Sequence, residues 1–144
     1  MILREMLVDD LDAVMEIEES LFSVPWTREG MFTFLTRDDT MFLAVEENGT
    51  VIGYIGCLMV LDEADILNVA VRSDRQKYGI GGFLVSGLLR LLAEMEIRTV
   101  HLEVRTGNET ARRLYERNGF TVDGIRKNYY TDPTEDAVLM TYNG

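Results

Sequence analysis

The chain has 144 residues, 47% hydrophobic and 27% charged, the length and balance expected of one globular domain spanning residues 1–144 with a core of its own. Its 25 acidic and 14 basic residues leave a net charge of −11, which speaks against nucleic acid as a partner, because phosphate contacts need clustered Lys and Arg; it suits a basic partner, and equally a charge that only keeps the chain in solution. The single cysteine, Cys57, excludes an internal disulfide and any multi-cysteine zinc site. No apolar run reaches the roughly 18 uncharged residues of a membrane span. The start, "MILREMLVDD", lacks the basic-then-apolar pattern of a signal peptide, so the expectations are no membrane partner and a cytoplasmic location.

In chain order, "MILREML" alternates weakly and predicts a short strand. "DDLDAVMEIEESLF" carries Leu11, Val14, Ile17 and Leu21 at helical spacing, with Asp9 or Asp10 as N-cap. "SVPWT" interrupts, and Thr27 can cap a second helix through Met31, Phe34 and Leu35. "MFLAVEENGTVIGYIGCLMV" predicts two strands joined at Asn48-Gly49, and its apolar setting makes Cys57 a buried structural thiol. Asp62, Glu63 and Asp65 fall in a solvated turn, and "ADILNVAV" is a further strand.

Ile80 to Met95 is amphipathic through Phe83, Leu84, Leu88, Leu91 and Leu92. "RTVHLEVR" alternates, with Val100, Leu102 and Val104 on one face and His101, Glu103 and Arg105 on the other. "NETARRLYERNG" is a helix capped by Asn108 and stopped by Gly119. "FTVDGI" and "DAVLMTY" are closing strands around a polar, tyrosine-rich loop. Early hairpins followed by strand–helix–strand–helix–strand–strand predict an α/β fold, a mixed sheet with helices on both faces.

Between a strand and the long helix stands "QKYGIGG", three glycines in four positions. Glycine lets backbone N–H groups approach a ligand, and a helix N-terminus favours negative charge, so the pattern suggests a phosphate cradle. It is no P-loop, since Gly-x-x-x-x-Gly-Lys-Ser/Thr is absent, and no dinucleotide fingerprint, since Leu84 occupies the third glycine position. It does match Gln/Arg-x-x-Gly-x-Gly/Ala, as Gln76-Lys77-Tyr78-Gly79-Ile80-Gly81, followed by Gly82. On those residues alone a flexible glycine-rich helix start remains open.

This loop resembles the pyrophosphate loop of the GCN5-related N-acetyltransferase (GNAT) family, and "LEVRTGNETARRLYERNGF" is similar to the second half of that family's cofactor site. "FSVPWT" and "RKNYYTDPTEDAVLM" resemble the RimI-type branch, the ribosomal-protein alanine N-acetyltransferases, and the likeness covers essentially the whole chain. The resemblance implies the GNAT fold, a mostly antiparallel, splayed sheet of about seven strands. It implies acetyl-CoA as co-substrate, with no metal, and direct acetyl transfer to a protein N-terminal amine. The substrate it implies is the N-terminal alanine of small-subunit ribosomal protein eighteen.

The resemblance also implies roles. Glu103 would be the general base and Tyr115 the general acid that protonates the leaving thiolate; by position alone Glu103 reads first as an exposed strand glutamate, and Tyr115 equally as a half-buried packing tyrosine. Val69, Ala70 and Val71 would offer the pantetheine arm a strand edge, residues 76–82 would hold the pyrophosphate, and Asn108 and Tyr115, two turns apart on one helical face, would line the cofactor. Pro25, Trp26, Tyr129 and Tyr130 would grip the first residues of a peptide, unless these residues only anchor their loops. His101, the sole histidine, supports no histidine-based metal site and suits a structural role. Two alternatives stay open: a GNAT enzyme acting on a small amine or a lysine side chain, and a non-catalytic acyl-CoA-binding module. The oligomeric state is left unassigned.

Overall fold

Side-chain caps open two of the helices in the computed structural model, which describes residues 1–144. Thr27 Oγ1 accepts from Gly30 N at 3.0 Å and opens one helix; Asn108 Oδ1 accepts from Ala111 N at 3.2 Å and opens another. Asn48 (φ +54°) and Gly49 (φ +80°) are both left-handed, as a tight two-residue hairpin requires. The elements are β1 (Ile2–Glu5), a 3-10 turn (Val8–Asp10), α1 (Leu11–Leu21), α2 (Arg28–Leu35), β2 (Thr40–Glu47), β3 (Thr50–Val60) and β4 (Glu63–Val71). A second 3-10 turn (Ser73–Arg75) leads to α3 (Ile80–Glu94), β5 (Thr99–Arg105), α4 (Glu109–Arg117), β6 (Thr121–Tyr130) and β7 (Glu135–Asn143).

Three local expectations need correction. Asp10 sits at the head of α1 but makes no cap bond there. Its carboxylate accepts from Leu7 N at 2.7 Å and from the Arg4 guanidinium at 2.8 and 2.9 Å, so it caps the preceding 3-10 turn and ties it to β1. That guanidinium holds the Asp10 carboxyl below the usual carboxylate range. The strand after Phe120 continues to Tyr130, so Tyr129 and Tyr130 are strand residues and not loop residues. Pairing with β7 carries it that far, across an irregularity where Asn128 (φ +54°) gives its N–H to Asp136 Oδ1 at 2.9 Å. Of the acidic trio, only Asp62 lies in the turn; Glu63 and Asp65 belong to β4, and Glu63 Oε1 meets His101 Nε2 at 2.5 Å.

The strands form one sheet in the order β1-β2-β3-β4-β5-β7-β6. Every pairing is antiparallel except β4 with β5. That parallel pairing lasts for three positions, Glu63–Thr99, Ala64–Val100 and Asp65–His101, and then the strands part. A β-bulge lies at the point of parting: Gly56 of β3 faces Asn68 and Cys57 faces Ile66, leaving Leu67 unmatched. The sheet is thus two halves hinged at one end and splayed at the other.

Both faces are covered. Consecutive β2 residues alternate between two cores, Phe42 and Ala44 toward α1 and α2, Leu43 and Val45 toward α3 and α4. Val14, Ile17, Met31 and Tyr54 complete the first core; Ile55, Leu84, Leu88, Leu92 and Val100 carry the second. Cys57 is fully buried in the second core, which pushes its thiol up to about 12 and makes it a packing residue. No helix is long and apolar enough to cross a membrane.

Candidate active site

Where β4 and β5 separate, the sheet opens a cleft of about 750 Å³. Alternation along β5 buries Leu102 and Val104 beneath it and turns Glu103 into it. The carboxylate is open to solvent, yet the cleft walls displace enough of its water to raise its pKa. Asp65, on β4 where the parallel pairing ends, adds to that rise, and Arg126 and His101 oppose it. A carboxylate shifted in this direction binds a proton more readily than an ordinary glutamate while still ionising in water.

Tyr115 reaches the same cleft from α4. Its ring packs edge-on against Phe120 at 5.8 Å, and burial alone raises its hydroxyl to about 12. The hydroxyl therefore keeps its proton throughout the physiological range, with no protein acceptor engaging it. Tyr130 stands close enough to Glu103 for that carboxylate, after burial, to raise the Tyr130 hydroxyl. Arg105 lies over the Tyr130 ring at 4.5 Å and Arg126 over the Tyr129 ring at 4.8 Å, fixing both tyrosines at the cleft mouth. Trp26 lines the opposite wall, its ring edge-on to Phe34 at 4.9 Å, while Pro25 does not line the cleft. Ser23 Oγ donates to the Asp132 carbonyl at 2.6 Å, joining the α1–α2 and β6–β7 connections.

The edge of β4 faces the gap. Arg72 N donates to Ile52 O at 2.8 Å, so alternation turns Ala70 toward β3 and the backbone groups of Val69 and Val71 away from it. Ala70 is therefore spent: its backbone pairs with β3 and its side chain is buried on the α1 side. Val71 O accepts from Gln76 Nε2 at 3.0 Å, so Gln76 braces the loop to the strand. Val69 N gives its hydrogen to Asn68 Oδ1 at 3.1 Å. Val69 O and Val71 N remain directed at the cleft side.

Beyond β4, Lys77 (φ +72°) and Gly79 (φ +80°) turn the chain into α3. Gly79 has no heavy atom within 4 Å of where a Cβ would stand, so its backbone borders open space. The N–H groups of Ile80, Gly81 and Gly82 start the helix with no acceptor in the protein, and the first turn of α3 holds no acidic residue. An uncapped, fifteen-residue helix offering three N–H groups beside Lys77 fits a pyrophosphate. Ile80 contributes only its backbone, its side chain being core; Tyr78 is exposed and its ring carries Arg75 at 4.9 Å. Gly81 and Gly82 also face Leu114 of α4, where a Cβ would meet that side chain, so these glycines serve helix packing. No three His, Cys, Asp or Glu side chains cluster so as to hold a metal ion.

Val69, Glu103, Asn108, Tyr115, Trp26, Tyr129 and Tyr130 thus share one cleft; Pro25, Ala70, Val71 and residues 76–82 stand outside its lining, the last of these at the head of α3. Asn108 spends its side-chain oxygen on the α4 cap. One polar group at the cleft had no local sign in the sequence: Glu18, inside the apolar stripe of α1. It accepts from Trp26 N at 3.1 Å, from Asn68 Nδ2 at 2.9 and 3.1 Å, and from the Tyr54 hydroxyl. Burial raises its pKa and these donors oppose the rise.

Comparison with known proteins bears on the family and the fold. The profile of the acetyltransferase (GNAT) family matches residues 11–120. A [ribosomal protein bS18]-alanine N-acetyltransferase of Escherichia coli K12 is 37% identical over 135 residues, 91% of this chain and 89% of its own length. The crystal structure of the ribosomal-protein-S18-alanine N-acetyltransferase from Escherichia coli superposes with a TM-score of 0.92 at 33% identity, covering 99% of this chain and 92% of that one. Arabidopsis thaliana NAA60 in complex with acetyl-CoA shares the fold, with a TM-score of 0.90 at 20% identity, covering 99% of both chains.

Proposed function

This chain belongs to the GNAT family and is an acetyl-CoA-dependent N-terminal acetyltransferase, and from that premise we propose that its substrate is the N-terminal alanine of ribosomal protein bS18. The observation that carries the reading is the single cleft in which Glu103 and Tyr115 meet between a phosphate-ready helix start and an aromatic mouth. The site residues take their roles from that arrangement.

An amine attacks an acyl carbon only when neutral, and the departing thiolate then needs a proton. Acetyl-CoA supplies the activated acyl group. Glu103 takes the proton of the incoming ammonium, directly or through a water; its raised pKa makes that acceptance more favourable than at an ordinary glutamate. Tyr115 holds its proton at the other end of the path and gives it to the CoA sulfur as the carbon–sulfur bond breaks and the carbon–nitrogen bond forms, after which the tyrosine, the stronger base once ionised, regains a proton from solvent. The backbone of Val69 and Val71 orients the pantetheine arm by strand-like pairing, and Lys77 with the N–H groups of residues 79–82 holds the pyrophosphate. Trp26, Tyr129 and Tyr130 line the way in for the peptide.

A protein terminus suits this chemistry, because an α-amino group has a pKa of about 7.7–8.0 against about 10.4 for lysine, a gap of roughly 2.5 units or 3.4 kcal/mol in the cost of the neutral amine. A basic ribosomal protein also suits a chain of net charge −11, and such a substrate supports a cytoplasmic location for the enzyme. The deciding experiment is incubation with acetyl-CoA and the bS18 N-terminal peptide, followed by mass spectrometry. The expected product carries one acetyl group on the alanine α-amine; acetyl on lysine alone, or none, refutes the reading.

A further inference from the structure

Glu18 is the most deeply buried carboxylate of the chain, 1% exposed, and it lies in the apolar layer formed by Val14, Ile17 and Met31. An apolar side chain would fill the same space without the cost of desolvating a charge, so the folding of α1 alone does not account for it. What the carboxylate does make is a connection. Oε1 accepts from Trp26 N at 3.1 Å, the backbone of the acceptor wall. Both oxygens accept from Asn68 Nδ2, at 3.1 and 2.9 Å, and Asn68 Oδ1 in turn holds Val69 N at 3.1 Å on the free edge of β4. Asn68 stands at the β-bulge where β4 leaves β5, the place where that strand has lost its neighbour and is least constrained by the sheet.

We propose that Glu18 is a positioning residue for acetyl transfer: by binding Trp26 and Asn68 at once, it sets the separation between the wall that receives the peptide's first residue and the strand edge that aligns the acyl donor. The inference rests on the acceptor and donor sides assigned above. The two reactants approach from opposite walls, so the rate depends on the walls' relative placement more than on either binding event, and a displacement near 1 Å is enough to matter. Glu18, 1% exposed, acts through Trp26 and Asn68.

The test is Glu18→Gln, with purified full-length chain, acetyl-CoA and alanine-, serine- and leucine-terminated peptides. The glutamine amide keeps the volume but points a donor at Asn68 or Trp26, both of which are donors. The expected result is a fall of at least tenfold in kcat/KM on the alanine peptide and a narrowed preference for alanine over leucine, with the acetyl-CoA Kd from calorimetry changed less than threefold. The double variant Glu18→Gln/Asn68→Asp restores a donor–acceptor match and should recover most of the activity and the preference. Ile17→Ala, which empties core beside Glu18, is the stability control and should lower Tm without altering the preference. If Glu18→Gln does not fold, Asn68→Ala cuts the arm to β4 and leaves the Trp26 bond, with the same kinetic effect expected. Wild-type kcat/KM and preference in a folded Glu18→Gln or Asn68→Ala overturns the proposal. So does a loss shared equally by Ile17→Ala. A wild-type chain inactive on every N-terminal peptide overturns the functional reading itself, and this inference with it.

Discussion

A Cβ at Gly81 would stand 3.0 Å from Cδ2 of Leu114, so the first turn of α3 and the middle of α4 meet where a side chain is missing. Gly81→Val therefore overpacks this contact, at about 1–3 kcal/mol, and lowers Tm by a few degrees for a chain of this size. Adding Leu114→Ala makes room, and thermal unfolding should show most of the loss recovered. Acetyl-CoA affinity should remain more than tenfold weaker in the double variant, because the valine still crowds the N–H groups at the helix start. Full recovery of affinity in calorimetry would assign this glycine to packing alone.

Gly79 presents the complementary case. Open space surrounds its missing Cβ, but its φ of +80° strains any L side chain. Gly79→Ala should cost about 1 kcal/mol of stability, and Gly79→Asn distinctly less, since asparagine enters the left-handed region more readily. Denaturant unfolding of the two variants checks the order, and equal losses would contradict the backbone explanation.

Tyr115→Phe removes a hydroxyl that no protein group engages and leaves the ring against Phe120. Stability and acetyl-CoA affinity should stay close to wild type while kcat falls by roughly 10²–10⁴. A variant within threefold of the wild-type kcat would remove Tyr115 from the proton path.

Glu103 works as a base only when ionised, and its pKa is raised chiefly by desolvation, then by Asp65. The acid limb of kcat/KM should accordingly lie above the ordinary glutamate range, and Glu103→Gln should lose most rate at the lower end of the working pH range, where unassisted amine is protonated. For stability the sign is opposite. A carboxyl whose folded pKa exceeds its unfolded one favours the folded state below the unfolded value, and that contribution is lost as pH rises through the folded value. The Tm of Glu103→Gln relative to wild type should therefore increase from acid toward neutral pH. A flat difference across that range would show that the cleft does not desolvate the carboxylate.

Trp26, Tyr129 and Tyr130 narrow the entry, and the Ser23–Asp132 bond links the connection that carries Trp26 to the turn that follows Tyr130. A small first residue should be acetylated much faster than a bulky one, and an internal lysine slower still, being longer and about 3.4 kcal/mol harder to deprotonate. Competition among alanine-, leucine- and N-terminally blocked lysine peptides in one reaction gives the ratios. Equal rates on the alanine and blocked lysine peptides would refute N-terminal selectivity.

Several elements could be read from the residues themselves because their causes are local. The caps at Thr27 and Asn108 act over three residues, the Asn48-Gly49 turn over two, and the alternation that turns Glu103 away from Leu102 and Val104 needs only its own strand. The glycine loop was likewise visible, since the backbone freedom it requires is encoded in composition. Other features depended on partners far along the chain. Tyr130 became a strand residue only through pairing with β7, and the parting of β4 from β5 after Asp65 depends on which strands become neighbours. The meeting of Gly81 with Leu114 is set by how two helices cross. Glu18 is the clearest instance: its partners Trp26, Tyr54 and Asn68 lie 8, 36 and 50 residues away, and on α1 alone it is one more acidic residue in "MEIEES". Periodicity tells which face of a helix turns inward, but a buried charge is stable only with donors supplied from elsewhere, and only the folded chain brings them to it.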